Sequence, residues 1–363
     1  MIRAEIASAG GTLPFSRFMD LALYAPGLGY YEREEPIVGR AGDFYTSVSV
    51  GPLLGELIGF QIATWLESLP EGPLHLIEAG AHTGHLSLDI LRHLRAHHPD
   101  LADRVHLCLV EPSTRRRGWQ RDTLRDLAGK VSWFTTLEEL HRTHPGLTGV
   151  LYANELLDAF PVHRMAWDQG LGCWVEQGVG WENGRFVGRP LPLPCTPTLG
   201  GLRLLEGLPG ELLDLLPDGF RVELAPAAAD WWREAARCFH LGWLVTLDYG
   251  LFDAEFLMPH RADGTLRTYR QHRPGGDPLD RPGLQDITAH IHWDDIRSAG
   301  EEAGLSTETL TSQRQWLSGL LAATLKAANR FPEWDPSRVR QFQTLTHPEH
   351  LGQAFRVLVQ SRR

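Results

Sequence analysis

The sequence predicts an α/β protein: a Rossmann-like, doubly wound parallel sheet with an N-terminal helical lid and an antiparallel insertion. Three observations predict it. The stretch Leu74–Leu94, LHLIEAGAHTGHLSLDILRHL, reads as a buried strand, a glycine-bearing loop and the first turns of an amphipathic helix. Short apolar runs then alternate with helical ones, the signature of a parallel sheet. Those runs end in acidic residues, at the strand edge where such a sheet places its ligand.

Taken in order, residues 1–24 suggest two short helices separated by Gly10-Gly11, followed by a glycine- and tyrosine-rich loop, YAPGLGYYERE. Leu53, Leu54, Leu57, Ile58, Ile62, Trp65 and Leu66 recur at helical spacing. The block 1–70 is expected to fold over the sheet as a lid, with residues 71–363 forming the core. Strand one is Leu74–Ala79, with its helix from Gly84; strand two is Arg104–Val110, followed by a helix over Thr114–Leu127. Val131–Phe134, Thr148–Ala153 and Leu241–Leu247 supply strands three to five, the last preceded by a helix at Ala227–Phe239. Between strands four and five, residues 156–225 alternate apolar and polar around Gln169-Gly170 and Asn183-Gly184, which predicts an antiparallel insertion. Residues 252–285 form a second insertion, rich in Pro and Gly and expected to be irregular. Helices at His292–Ala303 and Gln313–Ala328, a strand at Leu305–Leu310 and a closing AFRVLVQ strand complete the chain.

The bulk properties exclude several classes. With 363 residues, 42% hydrophobic and 22% charged, this is an ordinary globular composition. A net charge of −10 argues against a general nucleic-acid binder. The basic run Arg115-Arg116-Arg117 is read as a solvated helix face. Four scattered cysteines with no C-x-x-C pair indicate a reducing compartment and no structural zinc. No apolar run reaches the roughly 18 residues of a membrane span. The N-terminus lacks a signal or transit pattern, so the expectation is a cytoplasmic chain or a trimmed mature form.

The chemistry-bearing residues fall into five stretches. Glu78, ending strand one, would repel a pyrophosphate but suits a ligand with positive charge or hydroxyls; with no G-x-G-x-x-G after the strand, this favours S-adenosylmethionine over a dinucleotide. Glu111, ending strand two, can accept hydrogen bonds from a ribose diol, or can serve as a helix-start acid before Pro112-Ser113. Asn154, Glu155 and Asp158 place three polar groups just after strand four. They suit a methyl acceptor, above all a guanidinium needing carboxylates to hold its charge; the alternative is a cap built on Asn154. Asp248-Tyr249 ends strand five beside the cleft. His272, Asp277, Asp286, His290 and His292 could form a polar cluster on the same edge, with Asp286 and His290 as acceptor-binding or general-base groups and no metal expected. Gly42-Asp43-Phe44-Tyr45-Thr46 is by itself a turn.

Together these stretches resemble the MidA-like family of S-adenosylmethionine-dependent methyltransferases. GYY at 29–31, GDFYT at 42–46, NELLDAFPVHR at 154–164, LDYG at 247–250 and GTLRTYRQHRPGGDPLDRPGLQDITAHIHW at 264–293 carry the resemblance, in register from about residue 10 to about 360. It implies a class I methyltransferase fold and S-adenosylmethionine held by Asp43, Thr46, Glu78, Gly80, His82, Gly84, Glu111 and Asp248. It also implies a catalytic group of Asn154, Glu155, Asp158, Asp286 and His290. The implied partner is a protein methylated on arginine, as in the mitochondrial members that assist respiratory complex I assembly, and a homodimer is one assembly open to it. Two positions depart from the family: His82 replaces the middle glycine of E-x-G-x-G-x-G, and Ser49 replaces a glutamate. A non-catalytic assembly protein and a small-molecule methyltransferase are the alternative readings.

Overall fold

Seven strands form the main path of the eight-stranded central sheet: β1 (Leu74–Ala79), β2 (Val105–Val110), β3 (Val131–Phe134), β4 (Leu147–Asn154), β5 (Phe239–Leu251), β6 (Ser306–Ser312) and β7 (Phe355–Arg362), with the short strand Ile291–His292 pairing parallel to the end of β5. They lie in the order β3-β2-β1-β4-β5-β7-β6 in this computed structural model. The structure describes all residues except 34–45, 193–203, 206–207, 271–272, 328 and 350. β1 to β5 are parallel, while β7 runs antiparallel between β5 and β6. This is the doubly wound sheet expected from the sequence, and the strand order reverses between β1 and β4.

The inner strands β1, β2, β4 and β5 are apolar on both faces because both faces are covered, whereas the edge strand β6 (STETLTS) is largely polar and only partly buried. Leu74 and Leu76 of β1 face one core with the helices Leu53–Glu67 and His85–His97; Ile77 and Ala79 face the other with Pro226–Arg237 and Trp293–Glu302. β5 alternates likewise, Trp243, Val245 and Leu247 on the first side and Leu244 on the second. Helix Leu53–Glu67, read with the N-terminal block, is a layer of this central core, since it is apolar nearly all round and must bury every side.

The insertion between β4 and β5 folds as antiparallel strands His163–Asp168, Cys173–Glu182, Arg185–Pro190 and Arg221–Leu224. Its tight turn uses Asn183 and Gly184 at φ 49° and 82°, the double left-handed geometry that hairpin twist favours. Leu13–Pro14 adds to this sheet's edge. Helix Phe15–Tyr24 packs Phe15, Phe18 and Met19 against Val162 and Val179 of the insertion and Ile287 and Ala289 of the later segment. The region after β5 is not wholly irregular: Arg267–Arg270 pairs antiparallel with Asp286–Thr288. The helix after β2 ends at Thr123, and a 3-10 turn over Arg125–Lys130 replaces its expected last turn. Among the described residues no helix is long and apolar enough to cross a membrane.

One core contact makes stability pH-dependent. His93 lies 3% exposed on helix His85–His97, against Gly59 of the facing helix and 5.5 Å from the Phe331 ring. Neither ring nitrogen has a hydrogen-bond partner, and burial pushes its pKa down to about 3. An unfolded histidine titrates near 6.5, so the unfolded chain binds the proton first as pH falls. This contribution is therefore intact above about pH 6.5 and shrinks from there towards pH 3, by about 2 kcal/mol at pH 5. Urea unfolding at pH 7.5 and 5 is expected to show that loss in the wild type and a smaller one in His93→Leu.

Candidate active site

At the carboxyl ends of β1, β2 and β4 the sheet opens into a cavity of about 860 Å³, within the range of small-molecule sites. Its floor begins with Glu78, the last polar residue of β1. The carboxylate is 3% exposed and accepts hydrogen bonds from the hydroxyls of Ser87 and of Tyr152 (3.4 Å), its register partner on β4. Burial raises its pKa to about 7, against the pull of those two hydroxyls.

The loop that follows needs left-handed backbone three times: Gly80 at φ 70°, His82 at 45° and Gly84 at 82°. A Cβ at Gly80 would stand 2.8 Å from Leu156 Cδ1, so glycine lets the β1 loop close on the β4 loop. Gly84 caps helix His85–His97 and lies behind the wall, while Gly80 and His82 line the cavity. The His82 carbonyl accepts from Gln120 Nε2 at 3.1 Å, and its ring lies 5.7 Å from that of Trp119. Burial, with Arg116 nearby, lowers its pKa to about 3, so the imidazole is neutral.

Glu111 follows β2, 1% exposed. Its Oε1 accepts from the Ser113 N–H at 2.9 Å and its Oε2 from Gln120 at 3.4 Å, with Arg116 Nη1 3.8 Å away. Burial raises its pKa, and Arg116 opposes the rise. The helix cap is Ser113, which accepts from the Arg116 N–H, so Glu111 is free of that duty. The basic run is only in part a solvated face: Arg115 is exposed, while Arg116 and Arg117 are half-buried. Arg115 donates to the Glu32 carbonyl, Arg116 to that of Tyr31 at 3.1 Å, and Arg117 to that of Glu111 at 2.6 Å.

The other half of the cavity is acidic. Asn154 ends β4, and its Nδ2 donates to Glu155 Oε1 at 3.1 Å while its Oδ1 is buried without a partner. Glu155 takes a left-handed turn at φ 51° and also accepts from the Ser47 N–H at 3.2 Å. Burial, then Asp158, raises its pKa to about 7. Asp158 sits on the 3-10 turn Leu157–Ala159 and accepts from the Tyr249 hydroxyl, with its pKa raised by burial. Asp286, from the strand Asp286–Thr288, lines the same cavity; burial and then Asp158 raise it to about 8 against a side-chain hydrogen bond from Tyr31. His290 lines it too, with Nδ1 buried and unpartnered and its pKa lowered to about 4 by burial.

Asp248 is placed beneath the wall. Fully buried, it accepts the N–H groups of Leu157 (2.9 Å) and Asp158 (3.3 Å) on Oδ2 and of Tyr249 (2.8 Å) on Oδ1. Thr46 reaches the cavity, and Ser49 only closes the turn after it, Oγ donating to the Thr46 carbonyl at 2.7 Å. Asp43 and His272 lie outside the described residues. Of the described members of that candidate cluster, Asp286 and His290 line the cavity, and Asp277 and His292 do not. Asp277 caps a local turn at the Leu279 N–H, and His292 is buried between Asp253 and Asp295, away from the cavity. The strand Ile291–His292 is only two residues long, and helix Trp293–Glu302 begins at once, so His290 and His292 share no face. Among the described residues, ligand atoms of Asp253, His292 and Asp294 come within 4.8 Å of one another, apart from this site.

Three wall residues were not legible as site residues. Tyr24 donates to the Ala159 carbonyl at 2.8 Å and stacks on Tyr31 at 5.5 Å. Arg116 lies over the Tyr31 ring at 4.8 Å. S-adenosylmethionine presents hydroxyl and ammonium donors, and the wall offers acceptors in Glu78, Glu111 and the unpartnered Asn154 Oδ1, so the residues fit that cofactor. Glu111→Ala is expected to weaken S-adenosylhomocysteine binding about tenfold, about 1.4 kcal/mol, by calorimetry. In His82→Gly, where the left-handed backbone is kept and only the ring is lost, the affinity is expected to stay within about threefold, about 0.7 kcal/mol.

Comparison with known proteins gives the same assignment. Residues 57–311 match the family described as "Putative S-adenosyl-L-methionine-dependent methyltransferase". The Drosophila melanogaster mitochondrial protein arginine methyltransferase NDUFAF7 homolog is 27% identical, over 98% of this chain and 83% of its own. The Mus musculus NDUFAF7 protein is 29% identical over 95% and 80%. A Burkholderia thailandensis COG1565 superfamily protein, a likely methyl transferase by its description and bound to S-adenosyl-homocysteine, superposes with TM-score 0.83. It is 32% identical over 99% of this chain and 90% of that one. The chain belongs to this MidA-like family and is a methyltransferase whose cofactor is S-adenosylmethionine.

Proposed function

We propose that this methyltransferase acts on an arginine side chain of a protein. The observation that carries the reading is the trio Glu155, Asp158 and Asp286 on one cavity wall. All three carboxyls are raised by burial and, among the described residues, none has a Lys or Arg within ion-pair distance. A group of buried acids without a cation favours a ligand that brings one. The guanidinium is planar, permanently charged and rich in donors, which matches carboxylates set around a pocket. The names of the relatives point the same way.

In this reading Glu111 and Glu78, with the backbone from Gly80 to Gly84, hold the cofactor, and Asp248 fixes the turn carrying Asp158. The bound cofactor supplies an electrophilic methyl group on a sulfonium. Asp158 and Asp286 orient the guanidinium so that one nitrogen lone pair faces that carbon, and the aromatic wall excludes water. Glu155 would accept the proton that the guanidinium nitrogen sheds on methylation. Its pKa of about 7 suits that exchange near neutrality. The buried thiols of Cys108 and Cys238 are free, which supports a reducing compartment such as the cytoplasm.

The test is transfer of labelled methyl from S-adenosylmethionine to proteins of a lysate, followed by acid hydrolysis. Label in methylarginine is expected; label confined to small molecules or to other side chains would overturn the reading. Asp158→Asn is expected to lower kcat/KM at least about a hundredfold, about 2.7 kcal/mol of transition-state stabilisation. Because a raised carboxyl is protonated below its pKa and then cannot hold a cation, kcat/KM should rise with pH between about 6 and 8. Glu155→Gln should remove the inflection near 7.

A further inference from the structure

Glu111 stands on the side of the cavity proposed for the ribose and Asp286 on the side proposed for the acceptor. One chain of contacts joins them, through residues that neither role uses. Arg116 lies 3.8 Å from Glu111, donates through Nη2 to the Tyr31 carbonyl at 3.1 Å, and covers the Tyr31 ring at 4.8 Å. Tyr31 in turn reaches the acceptor half twice. Its side chain hydrogen-bonds Asp286, and its ring stacks at 5.5 Å on Tyr24, whose hydroxyl holds the Ala159 carbonyl beside Asp158.

We propose that Arg116 and Tyr31 are positioning residues that couple the two halves of the cavity, so that cofactor and acceptor each bind more tightly when the other is present. The physical route is specific. Ribose hydroxyls donating to Glu111 favour its ionised form, which strengthens its attraction for Arg116. Arg116 then fixes Tyr31 by two contacts at once, one to the carbonyl and one to the ring face. A fixed Tyr31 holds Asp286 in place and, through Tyr24, the turn that carries Asp158. From the other side, a cation between Asp158 and Asp286 ionises Asp286, and a charged acceptor strengthens the Tyr31 hydrogen bond. Both ligands order the same residues, so the second to bind meets a smaller ordering cost, and the coupling is reciprocal.

This inference rests on the arginine reading, and one experiment separates their failures. The probe is N-acetyl-L-arginine methylamide at millimolar concentration. Its own binding is followed by NMR line broadening, and S-adenosylhomocysteine affinity is measured by calorimetry with and without it. In the wild type the probe is expected to tighten S-adenosylhomocysteine binding about fivefold or more, the lower end of typical coupling. In Tyr31→Phe, which keeps the ring and loses the hydroxyl, that ratio is expected to fall to within about 1.5-fold of unity, well below the ordinary coupling range. Arg116→Lys keeps the charge and loses the planar fork over carbonyl and ring, so it should lower the ratio as well; it decides the matter if Tyr31→Phe melts early. A probe that binds while the wild-type ratio stays near one, or a full ratio in both variants, overturns the coupling and leaves the arginine reading standing. A probe that fails to bind overturns both.

Discussion

Asp248 is the buried carboxyl on which the acceptor half of the cavity depends. It lies near the carboxyl end of β5, and its two oxygens take the N–H groups of Leu157, Asp158 and Tyr249. The chain leaves β4 through a left-handed Glu155 and enters a single 3-10 turn, a path with too few internal hydrogen bonds to hold its own shape. Asp248 supplies the missing acceptors from the neighbouring strand. Without it three buried donors would lose their partner, each at roughly 1–3 kcal/mol. Because the Asp158 and Tyr249 N–H groups bind the same carboxylate, their side chains are brought to hydrogen-bonding distance of one another. The position of the proposed acceptor carboxylate is thus set from beneath, by a residue that does not reach the cavity.

That arrangement has an electrostatic consequence. On top of what burial does, Asp158 raises the pKa values of Glu155, Asp248 and Asp286, and Glu155 raises that of Asp248 as well. Four carboxyls in so small a volume cannot all be ionised without a counter-charge. Elsewhere this chain does neutralise buried acids internally. Glu223, 1% exposed, has Arg164 at 3.4 Å and the Thr265 N–H and hydroxyl. The contrast is informative. Where the protein needs only a stable fold it provides the cation itself, and for Glu155, Asp158 and Asp286, among the described residues, it sets no Lys or Arg within ion-pair distance. The asymmetry is what a site selective for a cationic acceptor requires, since the ligand's charge is then worth most where the empty site is least comfortable.

The parts legible in the sequence were those governed by local physics. Parallel strands buried on both faces must be continuous apolar runs, so β1 to β5 could be read directly, and their terminal acids marked the binding edge. The Asn183-Gly184 hairpin was legible because few other pairs tolerate two left-handed residues. The misreadings have equally physical causes. Three consecutive arginines are ordinarily solvated, and nothing local tells that Arg116 turns inward to a tyrosine 85 residues earlier. Tyr24 and Tyr31 reach the site from the N-terminal segment only because helix Phe15–Tyr24 packs on both insertions, a long-range event with no signature in its own sequence. His290 and His292 part because helix Trp293–Glu302 starts directly after the two-residue strand Ile291–His292.

His82 joins these themes. In a loop that asks for left-handed backbone, a residue with a Cβ costs of order 1 kcal/mol relative to glycine. The surroundings accommodate it: Gln120 donates to its carbonyl and to Glu111 from the same amide nitrogen, and Trp119 lies beside its ring. The loop after β1 and the acid after β2 are therefore tied through one side chain, whichever residue occupies position 82. A glycine would leave that tie intact, because the bond is to backbone. The imidazole is also neutral across the physiological range, so it adds no charge to oppose a sulfonium. What distinguishes this chain at the loop is thus the shape of the wall, while the backbone geometry and the electrostatics remain those that a glycine-bearing loop would give.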